Sequence, residues 1–411
     1  MPKKKFVWAN GVPLDDHTRK KHAILRRYFS EYVFIRCQNR RQELFRLAVV
    51  DGFAGGGHYD CGTAGSPIIF LECLVEAVAR VNTLRLSDGC KPIQVDCLLL
   101  LNELDKDGLG LLQTGIAPFV QRANALDGLA VKVEFYNEKF DAAYPKIKER
   151  IAEARLRNVF FNLDQSGYSQ ATNRHLHDIM TSWEKPEIIL TFMVEALLAY
   201  ISQDRNKSNV PLTPELRAMI DAARQDETYM AQNEWLAMVE RLVFQILRRC
   251  APYVSPFSIR NPEGWRYWLM HFANVPRARQ VYNDILHLDG NSQGHYGRAG
   301  LNMLSYDPSE PEAQIYLFDQ SARERAMQEL YDDIPRLVAE EGDAMTVGRF
   351  YEAVFSETAA HSDDIHASMI ENPDIEVITS NGGARREAKA IRPDDTIKLK
   401  PQKSFSYGFQ V

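Results

Sequence analysis

LAVVDGFAGGGHYDCGTAGSPIIFLE, residues 47–72, decides the fold. Leu47-Ala48-Val49-Val50 is a continuous apolar run, which predicts a short strand buried on both faces. It stops at Asp51, and Gly52, Gly55, Gly56 and Gly57 follow within six residues. Glycines in such a place permit positive φ and let the backbone come close to a ligand. Ser66-Pro67 predicts a helix start, with Ser66 as N-cap and Pro67 at the first helical position. Strand, acid, glycine turn and helix in this order describe the crevice of an open α/β sheet. A glycine-rich turn without a ligand is the simpler alternative, and the flanking strand and helix favour the ligand.

The bulk properties bound what surrounds this stretch. At 411 residues the chain exceeds one typical domain, which predicts a core domain with appendages. No apolar run approaches the roughly 20 residues of a membrane span, and MPKKKFVWANG lacks the apolar segment of a signal peptide. The six cysteines (37, 61, 73, 90, 97 and 250) include no CxxC pair, so a reduced, cytoplasmic protein is expected. The net charge of −6 conceals a polarity. Residues 1–46 hold twelve Lys and Arg against four acids, residues 384–403 hold seven against three, and the remainder carries −18. Basic ends suit a polyanion, and solvated charged tails account for them nearly as well.

Upstream, residues 14–36 predict an amphipathic helix with Ile24, Leu25, Tyr28, Phe29, Tyr32 and Val33 on one face. Downstream, the helix over 67–81 leads to a second apolar run, Val95–Leu101, ending at Asn102-Glu103-Leu104-Asp105. An acid at this strand tip is the usual clamp for ribose hydroxyls; Glu103 and Asp105 both qualify, and Glu103 is preferred. Strand-like runs at 131–136, 159–163 and 188–193 alternate with helical patterns, which predicts a parallel sheet with helices on both faces. Glu138 and Phe140, just after the third strand, are candidates to contact an adenine. Residues 202–234 are polar, carry Pro211 and Pro214, and predict a helical insertion. Residues 253–260 and 265–273, joined by Asn261-Pro262-Glu263-Gly264, predict an antiparallel hairpin at the sheet's end. That hairpin favours the methyltransferase variant of the doubly wound fold over a dehydrogenase.

The expected domains are a basic helical extension (1–46), the α/β domain (47–288), a glycine-bearing linker (289–318) and a C-terminal α+β domain (319–411). Helices near 321–340, 345–357 and 362–371 precede strands at 375–379 and 395–400, which is the order of a winged helix. Asp363, Asp364 and Glu371 on its third helix would repel phosphates. Nucleic acid, if bound there, falls to Arg385, Arg386 and Lys389. Histidines at 175, 177, 361 and 366 have no third partner at metal-ligand spacing, so no metal is expected.

The chain resembles the three-Cys-motif partner (TcmP) family of methyltransferase-like proteins. The matching pieces are His17-Thr18 with Lys21, Val50-Asp51-Gly52-Phe53-Ala54-Gly55, Gly65-Ser66-Pro67, Phe160 to Ser169, and Gly264-Trp265 to Pro276-Arg277. The resemblance implies S-adenosylmethionine (SAM) as cofactor and a radical-SAM-type partner that carries the three cysteines. On the leading reading, Asp51 and the backbone of residues 52–57 (Gly52, Phe53, Ala54, Gly55 and Gly57 among them) would hold the methionine end, with Ser66 also at the cofactor, and Glu103 would hold the ribose. Asp164 would accept from a target amine and Tyr168 would stack on a flipped base. Two departures stand out. Asp164-Gln165-Ser166-Gly167 lacks the family's proline, and Lys139 stands where the family tends to have Asp. The leading expectation is a nucleic-acid base amino-methyltransferase. The alternative is an inactive sensor or scaffold that binds SAM or a related nucleotide, in a mobile-element or phage-defence setting. A methyltransferase acting on the partner protein is the third reading.

Overall fold

In the computed structural model the strand Leu44–Asp51 (β1) lies at the centre of an eight-stranded sheet, and Leu47 to Asp51 are wholly buried. The structure describes residues 8, 11–165, 170–193, 214–225, 232–260, 266–288, 294–296, 301, 315–317 and 320–401. The chain divides into two units, Met1–Gln293 and Gly294–Val411.

In the first unit, β1 is flanked by Gln94–Asn102 (β2) and Asn158–Asp164 (β4), both parallel to it. Leu129–Tyr136 (β3) and Lys185–Phe192 (β5) extend the parallel set on either side. The sheet then reverses. Arg266–Ala273 (β8) runs antiparallel to β5 and also pairs with Tyr253–Ser255 (β6) and Ser258–Arg260 (β7). The order is β3-β2-β1-β4-β5-β8-β6, a Rossmann-like α/β sheet closed by the expected hairpin. The turn that joins the hairpin, residues 261–265, lies outside the described residues.

Helices cover both faces, and successive residues of β4 show it. Phe160 meets Tyr28, Phe29 and Tyr32 of helix Asp16–Arg36 (α1) and Phe70 of helix Ser66–Ser87 (α2). Phe161 meets Tyr144 of helix Phe140–Glu153 (α4), on the other side. Period-2 alternation does this. It also sends Asn162 and Asp164 toward α1, a placement that builds the site. Helix Asn173–Ser182 (α5) packs beside α4, its His175 ring 5.3 Å from that of Tyr144. Helix Lys106–Asn124 (α3) packs on α2, and helix Pro276–Leu288 (α8) on α1. Pro214–Gln225 (α6) and Gln232–Arg248 (α7) are the described part of the expected insertion.

Two expectations need correction. The N-cap of α2 is Gly65, not Ser66, and the helix runs on to Ser87. Ser66 is the first helical residue, and its hydroxyl hydrogen-bonds Asp51. The stretch expected as linker contains two paired strands, Gly294–Tyr296 (β9) and Ile315–Leu317 (β10).

The second unit also holds helix Gln320–Glu340 (α9), strand Ala344–Thr346 (β11), and helices Val347–Val354 (α10) and Ser362–Glu371 (α11). Strands Ile375–Ile378 (β12) and Thr396–Leu399 (β13) follow. The sheet order is β11-β13-β12, antiparallel throughout. Sequence periodicity misses β11, which is three residues long. Leu330, Ile334, Phe350, Phe355, Ile365, Met369 and Ile397 form its buried core. Among the described residues no helix is long and apolar enough to cross a membrane.

Candidate cofactor and catalytic site

The tips of β1, β2 and β4 converge, and the chain leaving β1 is tied to both neighbours. The Gly52 amide donates to the Asn162 carbonyl (2.9 Å), and the Ala54 amide to the Asn102 carbonyl (2.9 Å). Asn102 Nδ2 donates to the Gly52 carbonyl at 3.0 Å. A side chain on Gly52 would strike Leu163 and Phe140. Phe140 is accordingly a core residue, 2% exposed, against Phe53.

Asp51 has no exposed surface. Its Oδ1 accepts from the Phe53 amide (3.2 Å) and its Oδ2 from Asn162 Nδ2 (3.2 Å). Burial pushes its carboxyl up to about 7, against these bonds and that of Ser66. Glu103 bridges loop and helix: Oε2 accepts from the Gly55 amide and Oε1 from the Asp105 amide, both at 2.8 Å. Burial pushes this carboxyl up as well. With the Leu104 amide as a third backbone donor, one lone pair is left for a further donor. Asp105 is the N-cap of α3, its Oδ2 accepting from the Gly108 amide at 3.1 Å. The two acids at this tip thus divide, Glu103 to the loop and Asp105 to the helix.

The remaining glycines of the turn hold a side chain rather than open space. The indole of Trp8 lies against Gly55, Gly56 and Gly108, so close that a Cβ on any of them would fall within 3 Å of it. The Asp60 amide donates to the Val12 carbonyl at 3.0 Å, so the N-terminal segment runs along the turn. Gly55 and Gly57 take φ of +65° and +86°, the left-handed region that favours glycine. Gly56→Ala, where φ raises no objection, is expected to cost about 1–3 kcal/mol by overpacking the indole. In a Trp8→Ala background that cost should vanish; urea denaturation of the four proteins measures the coupling.

Asp164 does not stand alone. Lys21 Nζ donates to both its oxygens, at 2.6 Å and 2.9 Å. The side chains are 10% and 24% exposed, Lys21 the more buried. Burial raises the Asp164 carboxyl, and the Lys21 ammonium more than offsets this, holding it below the usual carboxylate range. Helix α1 delivers Lys21 because Asp15 caps it, accepting from the Thr18 amide at 2.8 Å. The next residue, His22, is held neutral: burial lowers it to about 4. Its Nδ1 is buried without a partner among the described residues, and its ring lies 5.7 Å from Tyr59 of the glycine turn. His17 stacks on Tyr267 of β8 at 4.6 Å.

Of the residues expected at a site, the fold gathers Asp51, Gly52 to Gly57, Ser66, Glu103 and Asp164 at adjoining strand tips. Glu138 sits on the rim, paired with Lys146. Tyr168 lies outside the described residues. Asn102, Asn162 and Trp8 escape a reading by motif, and strand parity was the available signal for Asn162. In the second unit Arg385 is engaged by Asp395, at 2.8 Å and 3.0 Å, while Arg386 and Lys389 are exposed. His361 caps α11, its Nδ1 accepting from the Asp363 amide. Among the described residues no three His, Cys, Asp or Glu side chains gather as metal ligands would. Comparison with family models and with curated proteins finds no match for this chain.

Proposed function

We propose that the first unit binds SAM and is a methyltransferase of the class I type, acting on a base amino group of nucleic acid. The observation that carries this reading is the Glu103 carboxylate, tied to the glycine turn through the Gly55 amide and able to accept a further donor. A ribose offers two hydroxyls to such a group. The strand order, with its reversed β8 between β5 and β6, supports the methyltransferase variant. Bound SAM supplies an electrophilic methyl on a sulfonium. What the protein contributes is position and charge. Asp51 and Glu103 favour a cationic, hydroxylated ligand, and Asp164 lies one strand over to accept from an amine. A three-cysteine-motif radical-SAM-type protein is the proposed partner, on the TcmP resemblance.

The test is incubation with tritiated SAM and mixed DNA, tRNA and rRNA, and separately with the partner protein. Label on a polymer that is lost in Asp164→Ala supports the enzyme. SAM binding with no transfer anywhere supports the second reading, a sensor or scaffold. That second reading draws on Lys21, which already engages both oxygens of the acceptor carboxylate.

We further propose that the second unit is a winged helix that docks protein. Its third helix, α11, would be the reading helix on DNA. It buries Ser362, Asp364, Ile365, Ser368 and Met369, and Asp364 is taken by Arg323 at 2.6 Å and 2.7 Å. The turn Ala388–Ala390 packs against it. A helix covered in this way and acidic at its start suits no phosphate backbone.

A further inference from the structure

We infer that Lys21 is a positioning residue for Asp164, keeping that carboxylate ionised and aimed as the acceptor for the target amine. This rests on the methyltransferase reading of the same site. Lys21 spans both oxygens at 2.6 Å and 2.9 Å. With the Thr191 hydroxyl also donating to the carboxylate, three of its lone pairs are used and one remains for a further donor. The lysine is 10% exposed and the aspartate 24%, so of the two the carboxylate keeps the greater accessible surface. An amine could use the remaining lone pair without displacing the ammonium.

No described neighbour replaces that charge. From α1, His17 and His22 are weakened as cations by burial, Arg26 pairs with Glu72, and Asp15 and Asp16 are acids. From β1 comes Asp51, from the glycine turn the phenol of Tyr59, and from β5 the neutral hydroxyl of Thr191. Without Lys21 the carboxylate would be part-buried among neutral donors and like charges, and burial would make it take up a proton at a higher pH than in the wild type. A protonated acid presents an O–H to the amine where an acceptor is needed. The lysine thus acts through Asp164.

The experiment is single-turnover transfer from tritiated SAM between pH 5.5 and 9 for the wild type, Lys21→Met and Lys21→Arg. The wild type should show no acid limb assignable to Asp164. Lys21→Met should lose about tenfold per pH unit on a new acid limb within this range and recover as pH rises, and Lys21→Arg should restore the wild-type profile. A loss in Lys21→Met that is equal at every pH overturns the assignment. A second readout needs no turnover. The thermal midpoint deficit of Lys21→Met should be small at pH 5, large at pH 8, and absent at both in Lys21→Met/Asp164→Asn. A deficit independent of pH overturns it equally. Should the wild type transfer no label, the enzymatic reading falls, and the thermal signature decides the Lys21–Asp164 coupling alone.

Discussion

Asp51→Asn is expected to stabilise the ligand-free protein at pH 8 and, on the proposed SAM-binding reading, to weaken binding of that cation. The native carboxyl titrates near 7 because it is buried, against 3.8 for the free side chain. Between those values the folded state holds the extra proton, so stability falls as pH rises through that window, and the full penalty is present above 7. Three units correspond to about 4 kcal/mol. The amide avoids that penalty and keeps the Phe53 bond, and Asn162 can turn its own amide to accept from the new Nδ2. A gain of about 2–4 kcal/mol follows, or roughly 5–10 °C in the first unit's midpoint. The gain should shrink toward zero as pH approaches 4. Scanning calorimetry at pH 5 and pH 8 checks it.

On the proposed SAM-binding reading, the same residue should set a pH dependence of binding. A sulfonium nearby would favour the carboxylate, so below pH 7 binding would require release of a proton. SAM affinity of the wild type should fall as pH falls from 8 to 6, up to about tenfold per unit. Asp51→Asn should bind weakly at both ends with a flat profile. Titrations in buffers of different ionisation enthalpy would count the proton directly. A wild-type profile as flat as the mutant's removes Asp51 from the cofactor's surroundings.

Much of this architecture is legible in residues 47–72, and its limits are instructive. The apolar run before Asp51 and the acid after the second run are one-dimensional signals, because a central parallel strand buries both faces and leaves polar residues only at its tip. Glu103 is found that way. The glycines are legible as glycines, but their purpose is not. A sequence carries no sign that Trp8, over forty residues away, supplies the ring that Gly55, Gly56 and Gly108 make room for. Lys21 is legible as part of an amphipathic helix, where a cation on the polar side reads as solvated. That it meets Asp164, 143 residues on, depends on the crossing of α1 over β4, which no local period encodes. Glu187 is hidden for the converse reason: an acid early in an apolar strand passes for its solvent-facing end.

Glu187 is in fact 2% exposed and is bonded to the helix that carries Lys21. It lies opposite Phe160 in the β4–β5 register, so it too faces α1. Tyr28 of α1 donates its hydroxyl to Glu187 Oε2 at 2.5 Å, and Arg36 donates to Oε1 at 2.9 Å. Having given its only proton to Glu187, Tyr28 accepts from His271 Nε2 of β8 at 2.8 Å, which assigns that imidazole tautomer. Two turns and four turns along from Lys21, the helix is thereby pinned to the sheet by a buried carboxylate. Removing one partner of such a cluster leaves the others desolvated, so Glu187→Ala should cost about 3–5 kcal/mol at pH 7. Burial opposes the charge, but His271, Arg36 and Tyr28 together hold Glu187 below its free value of 4.5. Its contribution is therefore present above pH 4.5 and is lost as pH falls through the lower folded value, so the mutant's deficit should narrow in acid. Glu187→Gln, which still accepts from Tyr28, should lose less. If α1 is the carrier of Lys21, both variants should also loosen the Lys21–Asp164 pair and bring in the same acid limb of transfer that Lys21→Met shows. Full stability in Glu187→Ala would show that α1 is held by its apolar face alone.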